Sequence, residues 1–157
     1  MNIRIAGVEI SLERRSIEIF VQGCSRKCKG CHNPETWDFK GGEPHDVRTF
    51  LSELRSKVDK FGDLITDIYI SGGDLLCLPD HEAKLFSDFV RMYFHDKKLW
   101  LYTGCNDTEA DPLPVWIWGV YDVIKCGSYR EDLKQEGFPA SSNQRIYRKN
   151  KESGEWI

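Results

Sequence analysis

The sequence predicts an α/β fold: a partial (β/α) barrel with a mainly parallel sheet and flanking helices. Strand-like and helix-like segments alternate along most of the chain, and a glycine follows each confident strand-like run. Such alternation is typical of right-handed βαβ units in a parallel sheet. The length of 157 residues is the third observation. Because a complete eightfold barrel takes about 250 residues, we expect a single domain over 1–157 that holds roughly half of one.

Four short runs rich in β-branched and aromatic residues are the predicted central strands. They span 17–21, 67–71, 99–103 and 121–125, and each ends within two residues of a glycine. The apolar residues between positions 3 and 10 predict an additional edge strand or hairpin. Residues 145–147 predict one more strand near the C-terminus.

Two segments between the strands have helical periodicity. In 47–61 the apolar residues recur every three or four positions, Asp46 suits the start of a helix, and Gly62 suits its end. The second helix follows Pro79, with its apolar residues in 85–94. We expect both apolar stripes to pack against the sheet.

Composition and charge exclude several classes of function. The net charge is −3, which gives no basic surface for nucleic acid, and 40% hydrophobic residues are enough for a buried core. No apolar run approaches the roughly 20 residues of a membrane helix. The N-terminus also lacks the apolar core of a secretion signal. We therefore expect a cytoplasmic protein whose partners include neither nucleic acid nor a membrane.

Three of the six cysteines form a compact motif directly after the first central strand. Cys24, Cys28 and Cys31 have the spacing C-x3-C-x2-C. In a cytoplasmic chain with its own core, such cysteines indicate metal ligands or reactive thiols rather than disulfides. Three thiolates leave one iron of a four-iron cluster without a protein ligand. The basic residues between them would offset the negative charge of a thiolate-bound cluster.

A zinc site is the alternative for this loop. Cys24, Cys28, Cys31 and His32 could supply a Cys₃His set, as in a zinc-stabilised binding module without catalysis. Because Cys31 and His32 are adjacent, they would have difficulty reaching the same ion, and the iron–sulfur interpretation is favoured.

The other three cysteines, Cys77, Cys105 and Cys126, each follow a different strand. One interpretation is that they are small hydrophobic residues at strand ends. The other is a second thiol function, either a redox pair or an auxiliary metal site.

The cysteine loop resembles a known family. Residues 24–37 read CSRKCKGCHNPETW, and with Gly41-Gly42 they resemble the glycyl-radical-enzyme activases among the radical S-adenosylmethionine (SAM) enzymes. The resemblance extends over about 21–146. It implies a [4Fe-4S] cluster on Cys24, Cys28 and Cys31, with SAM on the open iron. It also implies reductive cleavage of SAM and abstraction of a hydrogen atom from a backbone glycine, with no catalytic residue beyond the cluster and SAM.

The resemblance also implies two SAM-binding segments. They are Gly30, His32 and Asn33 beside the last cysteine, and Gly72, Gly73 and Asp74 after the second central strand. Asp74 would pair with the ammonium group of SAM. The alternatives are a structural histidine and a plain turn at the strand end. The second segment departs from the family pattern at two positions, because the acid is Asp where Glu is commoner and Leu75 stands where proline is usual.

The resemblance further implies that the protein substrate is an anaerobic ribonucleoside-triphosphate reductase and that the electron donor is reduced flavodoxin or a similar protein. The alternatives are activation of another glycyl-radical enzyme, such as pyruvate formate-lyase, and a small radical SAM enzyme of deazapurine biosynthesis.

A half-barrel has an open side that a macromolecular substrate can close. Residues 116–118 are either a docking patch or a buried packing cluster, and no physical role is assigned to the tail 142–145.

Overall fold

A single sheet of seven strands organises the computed structural model, which describes residues 1–157. The strands are β1 (Asn2–Ser11), β2 (Ser16–Val21), β3 (Glu43–Asp46), β4 (Asp67–Gly72), β5 (Lys98–Tyr102), β6 (Val123–Cys126) and β7 (Arg145–Arg148). Their order in the sheet is β3-β1-β2-β4-β5-β6-β7. The central strands β2, β4, β5 and β6 run parallel, and the flanking strands are antiparallel. The sheet does not close, so the predicted partial barrel is confirmed.

The four predicted central strands are all present, and the largest difference in their limits is at β6. This strand begins at Val123 rather than Tyr121. The backbone N–H of Tyr121 donates instead to Ile117 O (3.0 Å), which keeps it in the preceding turn. Its hydroxyl is buried against Ser87 Oγ at 2.7 Å.

The N-terminal hairpin is also confirmed, because β1 pairs antiparallel with β2. The outer edge of β1 is covered by β3, which the sequence does not predict. All four residues of β3 are exposed and one is Pro44, so the segment has neither an apolar face nor β-rich composition. The C-terminal strand β7 is present at the opposite edge, antiparallel to β6.

Two helices, α1 (Val47–Lys60) and α2 (Asp80–Tyr93), cover one face of the sheet. Helix α1 begins as predicted, because Asp46 Oδ2 accepts a hydrogen bond from Thr49 N (3.0 Å). Both apolar stripes are buried. The core that they form with the strands includes Leu51, Leu54, Val58, Phe86, Val90, Ile19, Ile70, Leu101 and Ile124.

The opposite face of the sheet carries no helix. Tyr69, Trp100 and Val123 form a small separate cluster there, flanked by Tyr102 and Ile146. This concave face is the inner side of the half-barrel, and it leaves one side of the molecule open. Neither helix is long and apolar enough to span a bilayer.

The aromatic segment after β5 belongs to the fold. It forms a short 3₁₀ turn, Val115–Gly119, in which Ile117 is fully buried. The ring of Trp118 packs edge-on against Tyr147 and Trp156, with centroids 5.4 and 4.9 Å away. These contacts favour the packing interpretation over a docking patch.

Burial predicts different costs of truncation for a leucine of the core and a leucine of the exposed turn Gly62–Leu64. Leu101→Ala should lower the free energy of unfolding by about 2–5 kcal/mol, because the fully buried side chain leaves a cavity. The matched control is Leu64→Ala, at a side chain 57% exposed, where we expect a change within about 0.5 kcal/mol. Urea denaturation followed by circular dichroism measures both. Equal losses in the two variants would contradict the assignment of the helix-covered face to the core.

Candidate functional site

A cavity of about 270 Å³ opens at the carboxyl ends of the parallel strands, where parallel sheets commonly bind ligands. Every predicted site residue except one lines it: Cys24, Cys28, Cys31, His32, Asn33, Gly72, Gly73 and Asp74. The exception is Gly30. It lies just outside, with a φ of +77°, and a Cβ there would come within 3.2 Å of the Tyr129 ring.

The cysteine loop is closed at its base by pairing between its two ends. Gly23 N donates to Thr36 O (2.7 Å), and Cys24 N donates to Trp37 O (3.1 Å). The amide of Gln22 also donates to the carbonyls of residues 35 and 38. The loop therefore returns to its starting point and holds all three cysteines at the cavity.

The donor set of the loop fits an iron–sulfur cluster, because three thiols line one cavity. A Cys₃His zinc site would also need His32 as a ligand. His32 instead packs against the Tyr129 ring, with centroids 5.5 Å apart. In a four-iron cluster each thiolate binds a different iron, so three thiols spread around one cavity suit it and leave one iron without a protein ligand. Cys24, Cys28 and Cys31 are the residues that would hold it.

The two glycines after β4 are required by close backbone packing. Gly72 has a φ of +101°, and a Cβ there would lie 2.6 Å from Val21 N. A Cβ on Gly73 would lie 2.5 Å from Gly23 O. Any side chain would collide with backbone atoms, so these positions need glycine. Their close approach is to the base of the cysteine loop, while they also form part of the cavity wall.

Asp74 is buried at this wall, with only 1% of its surface exposed. Its carboxylate accepts hydrogen bonds from Leu76 N (3.0 Å), Thr103 Oγ1 (2.8 Å), Gly104 N (2.8 Å) and Arg26 Nε (2.9 Å). The cation expected beside Asp74 from the resemblance is an ammonium group, whereas the structure places Arg26 there. Asp74 is thus a buried cation-binding carboxylate at the edge of the cavity.

Arg26 bridges two acids from different parts of the chain. Besides Asp74, it donates from Nη1 to Asp111 Oδ2 at 2.9 Å. Burial lowers the pKa of Arg26, but its hydrogen bonds with Asp111 and Asp74 outweigh that effect and raise the pKa. The same guanidinium lowers the pKa of Asp111. The cysteine loop is therefore attached electrostatically to the loops that follow β4 and β5.

Comparison with known proteins places the chain in a family. Residues 14–147 match the family model of the 4Fe-4S single cluster domain. An anaerobic ribonucleoside-triphosphate reductase-activating protein of Enterobacteria phage T4 is 32% identical over 134 residues, which cover 83% of this chain and 82% of the phage protein. The protein of that name from Pasteurella multocida is 33% identical over 141 residues, covering 83% and 85%. The chain belongs to this family of reductase-activating proteins.

A second group of relatives consists of longer activating enzymes. Pyruvate formate-lyase 1-activating enzyme of Escherichia coli (strain K12) is 34% identical over 125 residues, which cover 74% of this chain but 44% of that enzyme. The resemblance to the glycyl-radical-enzyme activases is thus confirmed, and the chain is an activating enzyme of this group. The family model also confirms the predicted [4Fe-4S] cluster, and its assignment to the cysteine loop stays a prediction.

The remaining cysteines of this activating protein differ in their surroundings. Cys105 and Cys126 are buried at strand ends, as the packing interpretation expects. The Cys77 thiol forms a hydrogen bond with the thiol of Cys24, and this contact lowers the pKa of Cys77 while it raises the pKa of Cys24. One of the three therefore lies against a predicted cluster ligand.

Several residues of the cavity are not predicted from the sequence. On the inner face of the sheet, Lys125 Nζ lies 4.5 Å above the Tyr102 ring, and burial lowers the pKa of Lys125. Ser71 Oγ donates to Glu18 nearby. The alternation of β2 and β6 could have shown that Glu18 and Lys125 face away from the helices.

The tail 142–145, to which the sequence assigns no role, contacts the loop after β6. Asn143 Nδ2 donates to Ser128 O (2.8 Å), and Gln144 Nε2 donates to Gly127 O (2.9 Å). Gln144 also lines the cavity. The tail therefore fixes the loop after β6 and completes one wall.

The bridge by Arg26 predicts a pH dependence of stability. The folded pKa of Asp111 is depressed, so its contribution is full above about pH 5 and is lost as pH falls below about 4, through the folded pKa. Asp111→Asn should lower the free energy of unfolding by about 1 kcal/mol at neutral pH, and the difference from wild type should shrink on acidification. Urea denaturation at several pH values measures this. The control is Glu109→Gln, at an exposed residue of the same loop; a difference for Asp111→Asn that grows on acidification would refute the sign.

Proposed function

We propose that this chain is a radical SAM activase. It reductively cleaves SAM and abstracts a hydrogen atom from a backbone glycine of an anaerobic ribonucleoside-triphosphate reductase, which installs the glycyl radical. The observation that carries the proposal is that the cysteine loop and the Gly72-Gly73-Asp74 segment share one cavity. Support also comes from the reductase-activating names of relatives that match most of the chain.

Cys24, Cys28 and Cys31 would hold the [4Fe-4S] cluster and leave one iron for SAM. When both are bound, the cluster supplies the electron for SAM cleavage, and the cleaved SAM supplies the radical that takes the hydrogen atom. The contribution of the chain is position: the paired ends of the loop fix the three thiols at the cavity mouth.

Asp74 would bind the ammonium group of SAM, with His32, Asn33 and the two glycines of the wall on either side. A buried carboxylate that already binds a cation supports this role, because such a site stabilises positive charge strongly. The ammonium group would compete with the guanidinium of Arg26 for Asp74. Arg26 retains Asp111 as a partner when it is displaced, so neither charge is left unpaired.

The open concave face supports a protein substrate. A reactive radical must be shielded from water, and neither helix covers this side of the sheet. A macromolecule that docks over the cavity would provide the missing cover.

Pyruvate formate-lyase is the second candidate partner, but this chain matches less than half of the length of the Escherichia coli pyruvate formate-lyase 1-activating enzyme. For the electron donor, reduced flavodoxin or a similar acidic protein suits the exposed lysines of the cysteine loop.

The function is tested by anaerobic reconstitution with iron and sulfide, followed by reduction in the presence of SAM. We expect about four irons per chain, release of 5'-deoxyadenosine, and a glycyl signal in electron spin resonance when the anaerobic reductase is added. Cys28→Ala should lose most of the iron and the product, whereas the matched control Cys126→Ala should keep both. A colourless zinc protein that leaves SAM intact would overturn the proposal, and a glycyl signal with pyruvate formate-lyase alone would redirect it to the second partner.

The role of Asp74 gives a separate prediction. Asp74→Asn keeps the shape of the side chain but removes the charge, so SAM should bind at least about tenfold more weakly, as expected for loss of a charge-assisted hydrogen bond. Anaerobic equilibrium dialysis of the reconstituted protein measures the affinity. Asp111→Asn is the control, because it perturbs Arg26 without touching the cavity wall. Equal weakening in both variants would show that Asp74 acts only through Arg26.

A further inference from the structure

Cys77 is a thiol that the proposed function does not use. It ends the short turn Leu75–Cys77, and its N–H donates to Asp74 O at 2.9 Å. Ser25 Oγ donates to Cys77 Sγ at 3.5 Å, and the Cys77 thiol also contacts that of Cys24. Two thiols more than fifty residues apart in sequence therefore lie side by side.

Backbone hydrogen bonds maintain this contact. Gly73 N donates to Val21 O (2.7 Å), and Asp74 N donates to Gly23 O (2.9 Å). These bonds join the segment that precedes Cys77 to the segment that precedes Cys24. The proximity of the two thiols is thus built into the same pairing that closes the cavity wall.

The other cysteines outside the loop are less accessible to dissolved reagents. Cys105 and Cys126 are only 2% and 1% exposed. The Cys105 thiol donates to Asp111 O at 3.2 Å. Cys77 is partly exposed, so a small reagent can reach the Cys24–Cys77 pair.

We propose that Cys24 and Cys77 are an oxidative modification site and form a disulfide in the cluster-free chain. The oxidant is a low-molecular-weight disulfide such as oxidised glutathione. Its S–S bond breaks, the Cys24–Cys77 bond forms, and two molecules of reduced glutathione leave with the two thiol protons. The protein thiols lose two electrons, and the glutathione disulfide gains them.

The consequence of this bond rests on the proposed function of Cys24 as a cluster ligand. The disulfide withdraws one of three ligands, so the oxidised chain cannot assemble the cluster until a thiol reductant restores it. The bond also keeps Cys24 from irreversible oxidation to sulfinic or sulfonic acid. The site thus provides a reversible resting form of the cluster-free protein.

Disulfide mapping tests the proposal directly, because trypsin separates all six cysteines. Cys24 falls in the peptide 16–26 and Cys77 in the peptide 61–84. The cluster-free full-length chain is equilibrated with mixtures of oxidised and reduced glutathione, blocked with N-ethylmaleimide, digested and analysed by mass spectrometry. We expect these two peptides to be the main cross-linked pair. In the folded chain the cross-link should form at a ratio of oxidised to reduced glutathione about tenfold lower than in urea. This difference corresponds to a reduction potential of the Cys24–Cys77 disulfide that is about 30 mV lower in the folded chain.

Two variants give matched controls. Cys77→Ser should lose the cross-link and take up iron after oxidation without a reducing step, whereas Cys126→Ser should behave as wild type in both respects. The comparison of folded with urea-unfolded wild type stands even if a variant fails to fold. A free Cys77, or preferential pairing of Cys24 with Cys28 or Cys31 in the folded chain, would refute the proposal. Because mapping needs neither SAM nor a partner, its outcome is independent of whether the chain is an activase.

Discussion

The site depends on one backbone contact, the pairing of the end of β4 with the base of the cysteine loop. Gly73 N donates to Val21 O and Asp74 N donates to Gly23 O, at 2.7 and 2.9 Å. This approach is possible only because residues 72 and 73 have no Cβ. It brings the Cys24 thiol, the buried carboxylate of Asp74 and the wall of the cavity together. A side chain at either glycine would displace the thiol and the carboxylate at once.

Ion pairs attach the cysteine loop to the cavity wall in addition to this backbone contact. A carboxylate with 1% exposure would be costly to bury without a cation. Arg26, from the middle of the cysteine loop, supplies that cation and reaches a second acid after β5. The cysteine loop, whose three thiols are the proposed cluster ligands, is therefore attached through charge to the residue proposed to bind SAM. Occupation of Asp74 by a ligand cation and the position of the cysteine loop are consequently coupled.

Local patterns were sufficient to predict most of the fold, and long-range contacts account for what was missed. Periodicity located the central strands and both helices, and Asp46 marked the start of α1. Strand β3 was missed because it is polar, contains Pro44 and gains its hydrogen bonds only from β1. The spacing of the cysteine loop predicts metal ligands, and the resemblance of residues 24–37 to the activases implies the cluster and SAM. Arg26 contacts Asp74 and Asp111, which are 48 and 85 residues away in the sequence, and Cys77 lies more than fifty residues from Cys24. No local sequence pattern predicts such pairs.

The open side of the half-barrel links the protein substrate to the thiol pair. Neither helix covers the concave face of the sheet, so the cavity is open on that side. The same access exposes the cysteine loop to dissolved oxidants whenever the cluster is absent. A ligand thiol that has a neighbouring thiol in contact can be stored as a disulfide and recovered by exchange. The two proposals together give Cys24 two alternative partners, the cluster and Cys77, and backbone hydrogen bonds already hold the segments of the two cysteines side by side.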